Sequence, residues 1–165
     1  MKYIIGSVLF ASLLQIFLWL NNSDKFISPP DADNIIKSLS YAPYKGTKKE
    51  LLSDDEILHD LTLIKRFTKR IRLYSASDAQ KVLPFVKQLG MHIHFGIWIS
   101  SDEESNKEEI ALAKTLIPLY YTSISSVIVG NEVLLRKDLK AEELVPIIRD
   151  IKEFTHDIYI KSHIK

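Results

Sequence analysis

Hydrophobic and polar positions change their period several times along this chain, and each change marks an element. From Tyr3 to Leu20 the residues are almost uniformly apolar, with no polar face at helical spacing and no charge inside the run. Ser38-Leu39-Ser40-Tyr41-Ala42 reads as a short strand ended by Pro43. Ser53-Asp54-Asp55-Glu56 has the form of a capping box. It opens a helix with Ile57, Leu61, Ile64 and Phe67 at 3–4-residue spacing. Arg70 to Tyr74 alternates as a strand. A helix capped at Asp78 places Val82, Phe85, Val86 and Leu89 inward and stops at Gly90. Met91–Ile99 is a strand, about Lys107–Leu119 a helix, and Ser126–Val129 a β-branched buried strand. A helix over about Ala141–Phe154 carries Leu144, Ile147, Ile148 and Ile151. Ile158-Tyr159-Ile160 starts a fifth strand.

Strands alternating with helices predict an α/β chain with a parallel sheet and right-handed crossovers. An open doubly wound sheet and a segment of a (β/α)8 TIM barrel both satisfy the pattern. No glycine-rich phosphate loop follows the first strand, which argues against a nucleotide-binding open sheet. Polar and aromatic residues gather instead at the strands' C-terminal ends: Tyr41, Tyr74, Trp98, Asn131 and Glu132. Function sits at those ends in barrels, so the barrel is preferred. Period 2 puts Arg72 with Tyr74, His94 with Gly96 and Trp98, and Ile128 with Gly130 and Glu132. Aromatic faces beside charged groups suit pyranose rings and their hydroxyls.

The apolar run is near the roughly 18–20 residues that cross a bilayer. Its exit, Trp19-Leu20-Asn21-Asn22-Ser23, has no small-x-small cleavage pattern, so residues 1–22 are expected to form an uncleaved signal anchor. Lys2 then stays cytoplasmic, residues 3–20 span the cell membrane once, and the remainder is exported to the periplasm or beyond. Residues 23–37, with Pro29-Pro30, read as a linker before a domain over 38–165. Composition adds limits. The 165 residues are 46% hydrophobic and carry a net charge of +1, which leaves no electrostatic case for nucleic acid. There is no cysteine, so disulfides and thiolate metal sites are excluded.

Glu132 follows a buried Val-Ile-Val-Gly run beside Asn131, which favours an acid–base role over that of a carboxylate at a helix start. Arg72 lies within a strand, where a charge needs a carboxylate partner. That partner is Glu132 or a residue outside this chain. Trp98 serves equally as core or as stacking platform. His92 and His94 share a strand face with no obvious third ligand, so no metal site is expected. Asp102-Glu103-Glu104 and Lys107-Glu108-Glu109 read as a solvated, dipole-complementing edge.

Four motifs together bear a resemblance: Ser40-Tyr41-Ala42-Pro43-Tyr44, Arg70-Ile71-Arg72-Leu73-Tyr74-Ser75, Gly96-Ile97-Trp98-Ile99 and Val129-Gly130-Asn131-Glu132-Val133-Leu134-Leu135-Arg136. From about Ser38 to Glu153 the chain resembles the bacterial branch of glycoside hydrolase family 17, β-1,3-glucanases and β-glucan transglycosylases. The resemblance implies a barrel and a retaining mechanism without metal or organic cofactor. It implies that Glu132 is the general acid/base, that Asn131 holds a sugar hydroxyl, and that Tyr41, Arg72 and Tyr74 line the same subsite, with β-glucan as partner. A retaining glycosidase also needs a nucleophilic carboxylate about 5–5.5 Å from the acid. In the family that residue lies near the seventh strand. About four βα units are legible here, where a full barrel takes roughly 250 residues. The expectation is a truncated glycosidase, inactive alone. Beside it stand a tethered half barrel that binds glucan or pairs with a second chain, and a remnant without function.

Overall fold

A computed structural model describes residues 2–22, 36–46 and 50–163, with side chains described over 6–21, 36–46 and 50–158. The chain divides into two compact units, Met1–Asp33 and Asn34–Lys165. The first holds helix α1, Lys2–Asn22. The expected transmembrane span is overturned, because among the described residues no helix is long and apolar enough to cross a membrane. Ser7, Ser12 and Gln15 interrupt the apolar surface of α1. The membrane contact expected through residues 3–20 finds no support among the described residues. The linker expected over 23–37 lies outside the described residues, apart from Ile36 and Lys37.

The second unit contains strands β1 (Leu39–Ser40), β4 (Arg70–Arg72), β5 (His92–Ile97) and β6 (Ile124–Val129) in one sheet, and a small antiparallel ribbon of β2 (Tyr44–Lys45) and β3 (Glu50–Leu51). Helices α2 (Asp54–Ile64), α3 (Ala76–Gln88) and α4 (Glu103–Tyr120) connect the main strands. Beyond β6 come the short α5 (Val133–Arg136) and the long α6 (Ala141–His163). The main sheet is parallel throughout, in the order β1-β4-β5-β6. Strand order therefore follows chain order. Successive right-handed crossovers then place every connecting helix on one face, as in a barrel segment, whereas a doubly wound sheet reverses its order.

Alternation along the strands builds the core. Ile71, Leu73, Ile93, Phe95, Ile97 and Ile99 face the helices and are buried against Ile57 and Leu61 of α2, Val82 and Val86 of α3, and Leu116 and Ile117 of α4. The opposite positions form a polar row across the sheet, in which Ser40 pairs with Arg72, Arg72 with His94, and His94 with Ser126. Ile93 pairs with Ile124 but His94 pairs with Ser126, so Ser125 is an extra residue, a bulge in β6. It keeps Val127 and Val129 in phase with the core.

Local departures from the sequence pattern have local causes. Ser53 caps α2 with the expected reciprocal box, its hydroxyl accepting from the Glu56 N–H. Helix α3 starts earlier than expected. Ser75 is its cap, accepting from the Asp78 N–H at 3.0 Å, which leaves the Asp78 carboxylate for the Tyr44 hydroxyl. The fifth strand expected at Ile158–Ile160 is absent, because α6 runs on to His163. Ile151, Phe154 and Ile158 continue the 3–4-residue spacing, and a three-residue alternation does not override it.

Candidate active site

The C-terminal ends of β1, β4, β5 and β6 form one mouth. Arg72, at the end of β4, donates from one guanidinium amino group to Asn131 Oδ1 at 3.0 Å. The same guanidinium lies 4.6 Å from the centre of the Tyr74 ring. The Tyr74 hydroxyl in turn meets Ser40 Oγ at 3.1 Å. One chain of contacts thus links β1, β4 and the exit of β6. The partner of Arg72 is an amide oxygen, not the expected carboxylate. Its Nε is buried without a hydrogen-bond partner among the described residues.

Close backbone approach makes this packing possible. A Cβ built on Gly96 would lie 2.3 Å from the Leu73 carbonyl oxygen and 2.7 Å from Tyr74 Cα. Only glycine lets the end of β4 press so closely on β5. Gly130 ends β6 with φ +76°, its N–H donating to the Ile97 carbonyl at 2.8 Å. Two residues on, Glu132 is itself left-handed, φ 54° and ψ 24°, before α5. Such a conformation costs a non-glycine residue about 1 kcal/mol or more and persists only where its surroundings hold it. Val133, buried beneath, and the Arg136 N–H donating to the Glu132 carbonyl at 2.9 Å supply that hold. Glu132 is exposed.

Trp98 is 39% exposed. Its ring lies 4.4 Å from the Arg136 guanidinium, and its backbone N–H donates to Glu109 Oε1 at 2.9 Å. Beside it opens a polar pocket of about 440 Å³, walled by Tyr44, Ser75, Ser77, Trp98, Asn106 and Glu108, among others. Tyr41 is placed apart from the other sequence-predicted residues. Ser40 takes the inner position, so period 2 turns Tyr41 toward the helices, where it is buried and donates to Asp60 Oδ2 at 3.2 Å. Burial first, then the Asp60 carboxylate, pushes its phenol well above the usual tyrosine range. The neighbouring Tyr44 hydroxyl is raised to about 12, chiefly by its hydrogen bond to Asp78. His94 meets Ser126 Oγ at 2.8 Å, and no group of three or more metal-ligating side chains occurs among the described residues.

Two residues at the mouth were not anticipated. Glu109, read as part of a solvated charge run, is buried. Its carboxylate accepts from the Ala76 N–H, the Ser77 hydroxyl and the Trp98 N–H, joining the start of α3 to the end of β5. The signal was its phase, since Asn106, Glu109, Ala113 and Leu116 share one helical stripe. Arg136, quoted in a motif without a role, bonds the carbonyls of Asn131 and Ile99 and the Asp138 carboxylate.

Comparison with known proteins adds a family context. The family model of the BtgE/BtgC glycoside hydrolase domain matches residues 38–165. A glucan 1,3-beta-glucosidase of Candida albicans is 34% identical over 106 residues, 62% of this chain and 34% of the relative. One of Saccharomyces cerevisiae is 30% identical over 102 residues, 60% of this chain and 33% of its own length. The glycoside hydrolase family 17 β-1,3-glucanosyltransferase of Rhizomucor miehei superposes with a TM-score of 0.65 at 25% identity, over 73% of this chain and 45% of that one. An active-site mutant of the Rhizomucor miehei β-1,3-glucanosyltransferase in complex with laminaritriose gives 0.63 at 26% identity, over 71% of this chain and 44% of that one. The chain thus spans about a third of the curated relatives and less than half of the solved ones.

Proposed function

The chain belongs to the BtgE/BtgC glycoside hydrolase family, and with it to glycoside hydrolase family 17, and we propose that residues 38–165 form the acid/base side of a β-1,3-glucan hydrolase or transglycosylase. The observation that carries this reading is the Arg72–Asn131 bond over Tyr74, immediately before the left-handed Glu132 at the strand ends. Arg72 occupies the amide oxygen of Asn131, so the Asn131 NH₂ is the group presented to a sugar hydroxyl. Glu132 gives its proton to the departing glycosidic oxygen and takes one from the incoming water or sugar hydroxyl. Trp98 offers an aromatic face to a pyranose ring. The relatives named above, glucan 1,3-beta-glucosidases and a glucanosyltransferase with a laminaritriose complex, support β-1,3-glucan as the substrate class.

A retaining mechanism places the nucleophile about 5–5.5 Å from the acid. We assign that nucleophile to strands that close the arc, outside the described residues. A second reading, a glucan-binding module that pairs with a chain carrying those strands, draws support from β6. Among the described residues this strand is a sheet edge, beside an apolar groove of about 450 Å³ bordered by Ile124, Val127, Ile148 and Ile151. Calorimetry with laminaritriose and a reducing-sugar assay on laminarin test both readings. Binding without robust sugar release is expected. Robust release by this chain alone would refute the division of acid from nucleophile, and absence of binding would refute the glucan reading.

A further inference from the structure

We infer that Arg136 is a positioning residue that locks Trp98 and the Asn131-Glu132 turn into one rigid sugar-binding wall. The inference deepens the glucan reading and rests on it for its ligand. Arg136 closes α5, four residues beyond Glu132, and nearly every face of its guanidinium is engaged. One amino group donates to the Asn131 carbonyl and the other to the Ile99 carbonyl at 2.9 Å, so the exits of β6 and β5 are joined through one planar group. Nε donates to Asp138 Oδ2 at 2.7 Å. The flat face lies 4.4 Å from the centre of the Trp98 ring. The side chains of Arg136 and Asp138 are only 28% and 19% exposed, so the pair is sheltered from solvent screening.

The geometry demands arginine. A guanidinium donates in its plane in several directions and still offers a face to an aromatic ring, while an ammonium does one or the other. The clamp also spans two backbone positions with positive φ, Glu132 at 54° and Lys137 at 60°, which need support from outside the local chain. With Glu109 holding the Trp98 backbone from below, Arg136 sets the ring above, leaving its other face for a sugar.

The chain has two tryptophans, so Trp19→Phe leaves Trp98 as the sole tryptophan reporter in these 165 residues. In that background, acrylamide quenching of Trp98 emission and laminaritriose affinity are measured for Arg136→Met, Arg136→Lys and Asp138→Asn, with far-UV circular dichroism as the fold control. For Arg136→Met, quenching is expected to rise at least twofold and Kd about tenfold at unchanged secondary structure. Arg136→Lys, which keeps the charge, recovers less than half of either change, and Asp138→Asn falls between. A folded Arg136→Met with both readouts within twofold of the parent overturns the clamp. If Arg136→Met unfolds, Asp138→Asn decides by the same criteria. If the parent does not bind laminaritriose, the glucan reading fails and quenching alone decides the clamp.

Discussion

Replacing Glu109 separates its value as an acceptor from its value as a charge. The carboxylate is buried and serves three donors: the Ala76 N–H at 2.5 Å, the Trp98 N–H at 2.9 Å and the Ser77 hydroxyl at 3.1 Å. Glu109→Ala removes the acceptor of two backbone N–H groups, those of Ala76 and Trp98. An unsatisfied buried donor costs ~1–3 kcal/mol, and hydrogen bonds to a charged group are themselves worth about 1.5–3 kcal/mol. The adjoining polar pocket admits water, which offsets part of the cost. The expected loss is about 3 kcal/mol. Glu109→Gln keeps Oε1 on both N–H groups, and the Ser77 hydroxyl turns to accept from the new amide. Its expected loss is below ~1.5 kcal/mol. Urea unfolding followed by circular dichroism gives both values. In a thermal scan each kcal/mol moves the midpoint by roughly 3–5 °C for a domain of this size. A Glu109→Ala loss under about 1 kcal/mol, or equal losses for Ala and Gln, would refute the reasoning.

Three further outcomes are expected. Gly96→Ala drives a Cβ to 2.3 Å from a backbone carbonyl that cannot move alone, so a loss of about 2 kcal/mol or more is expected in urea unfolding, and a loss within ~0.5 kcal/mol would show the sheet more yielding than described. The Lys45 ammonium, then the Ser53 N–H and hydroxyl, hold the Glu56 carboxyl down to about 2 from 4.5. A depressed folded-state pKa contributes stability fully present above pH 4.5 and lost as pH falls toward 2, so Glu56→Gln should flatten the stability–pH curve in that window, and an unchanged slope would contradict the pairing. In an active glucanase carrying this segment, Glu132→Gln should cut turnover by roughly 100-fold or more and leave laminaritriose affinity within a few-fold, whereas near-normal turnover would remove Glu132 from acid–base chemistry.

Much of this architecture is legible in residue order, because the signals are local. Capping at Ser53, the alternation of Ile71, Leu73, Ile93, Phe95 and Ile97, and the Gly130 stop all follow from short-range backbone and burial rules. The α/β class and the family follow from the same patterns, since strand-end motifs stay intact in sequence. What needed the fold was long-range. Asn131 as the partner of Arg72, 59 residues away, depends on two strands meeting at one mouth. Glu109 counts as core or surface only once α3 packs on α4, and a charge run hides that phase. Tyr41 turns toward the helices and Asp60 because Ser40, not Tyr41, matches Arg72 in register. The apolar N-terminal run is a helix, as its composition dictates. The membrane span expected of its length and lack of charge is not found, since among the described residues no helix is long and apolar enough to cross a membrane. Propensity and periodicity act within a few residues, whereas a catalytic mouth is made from side chains that only register and packing bring into contact.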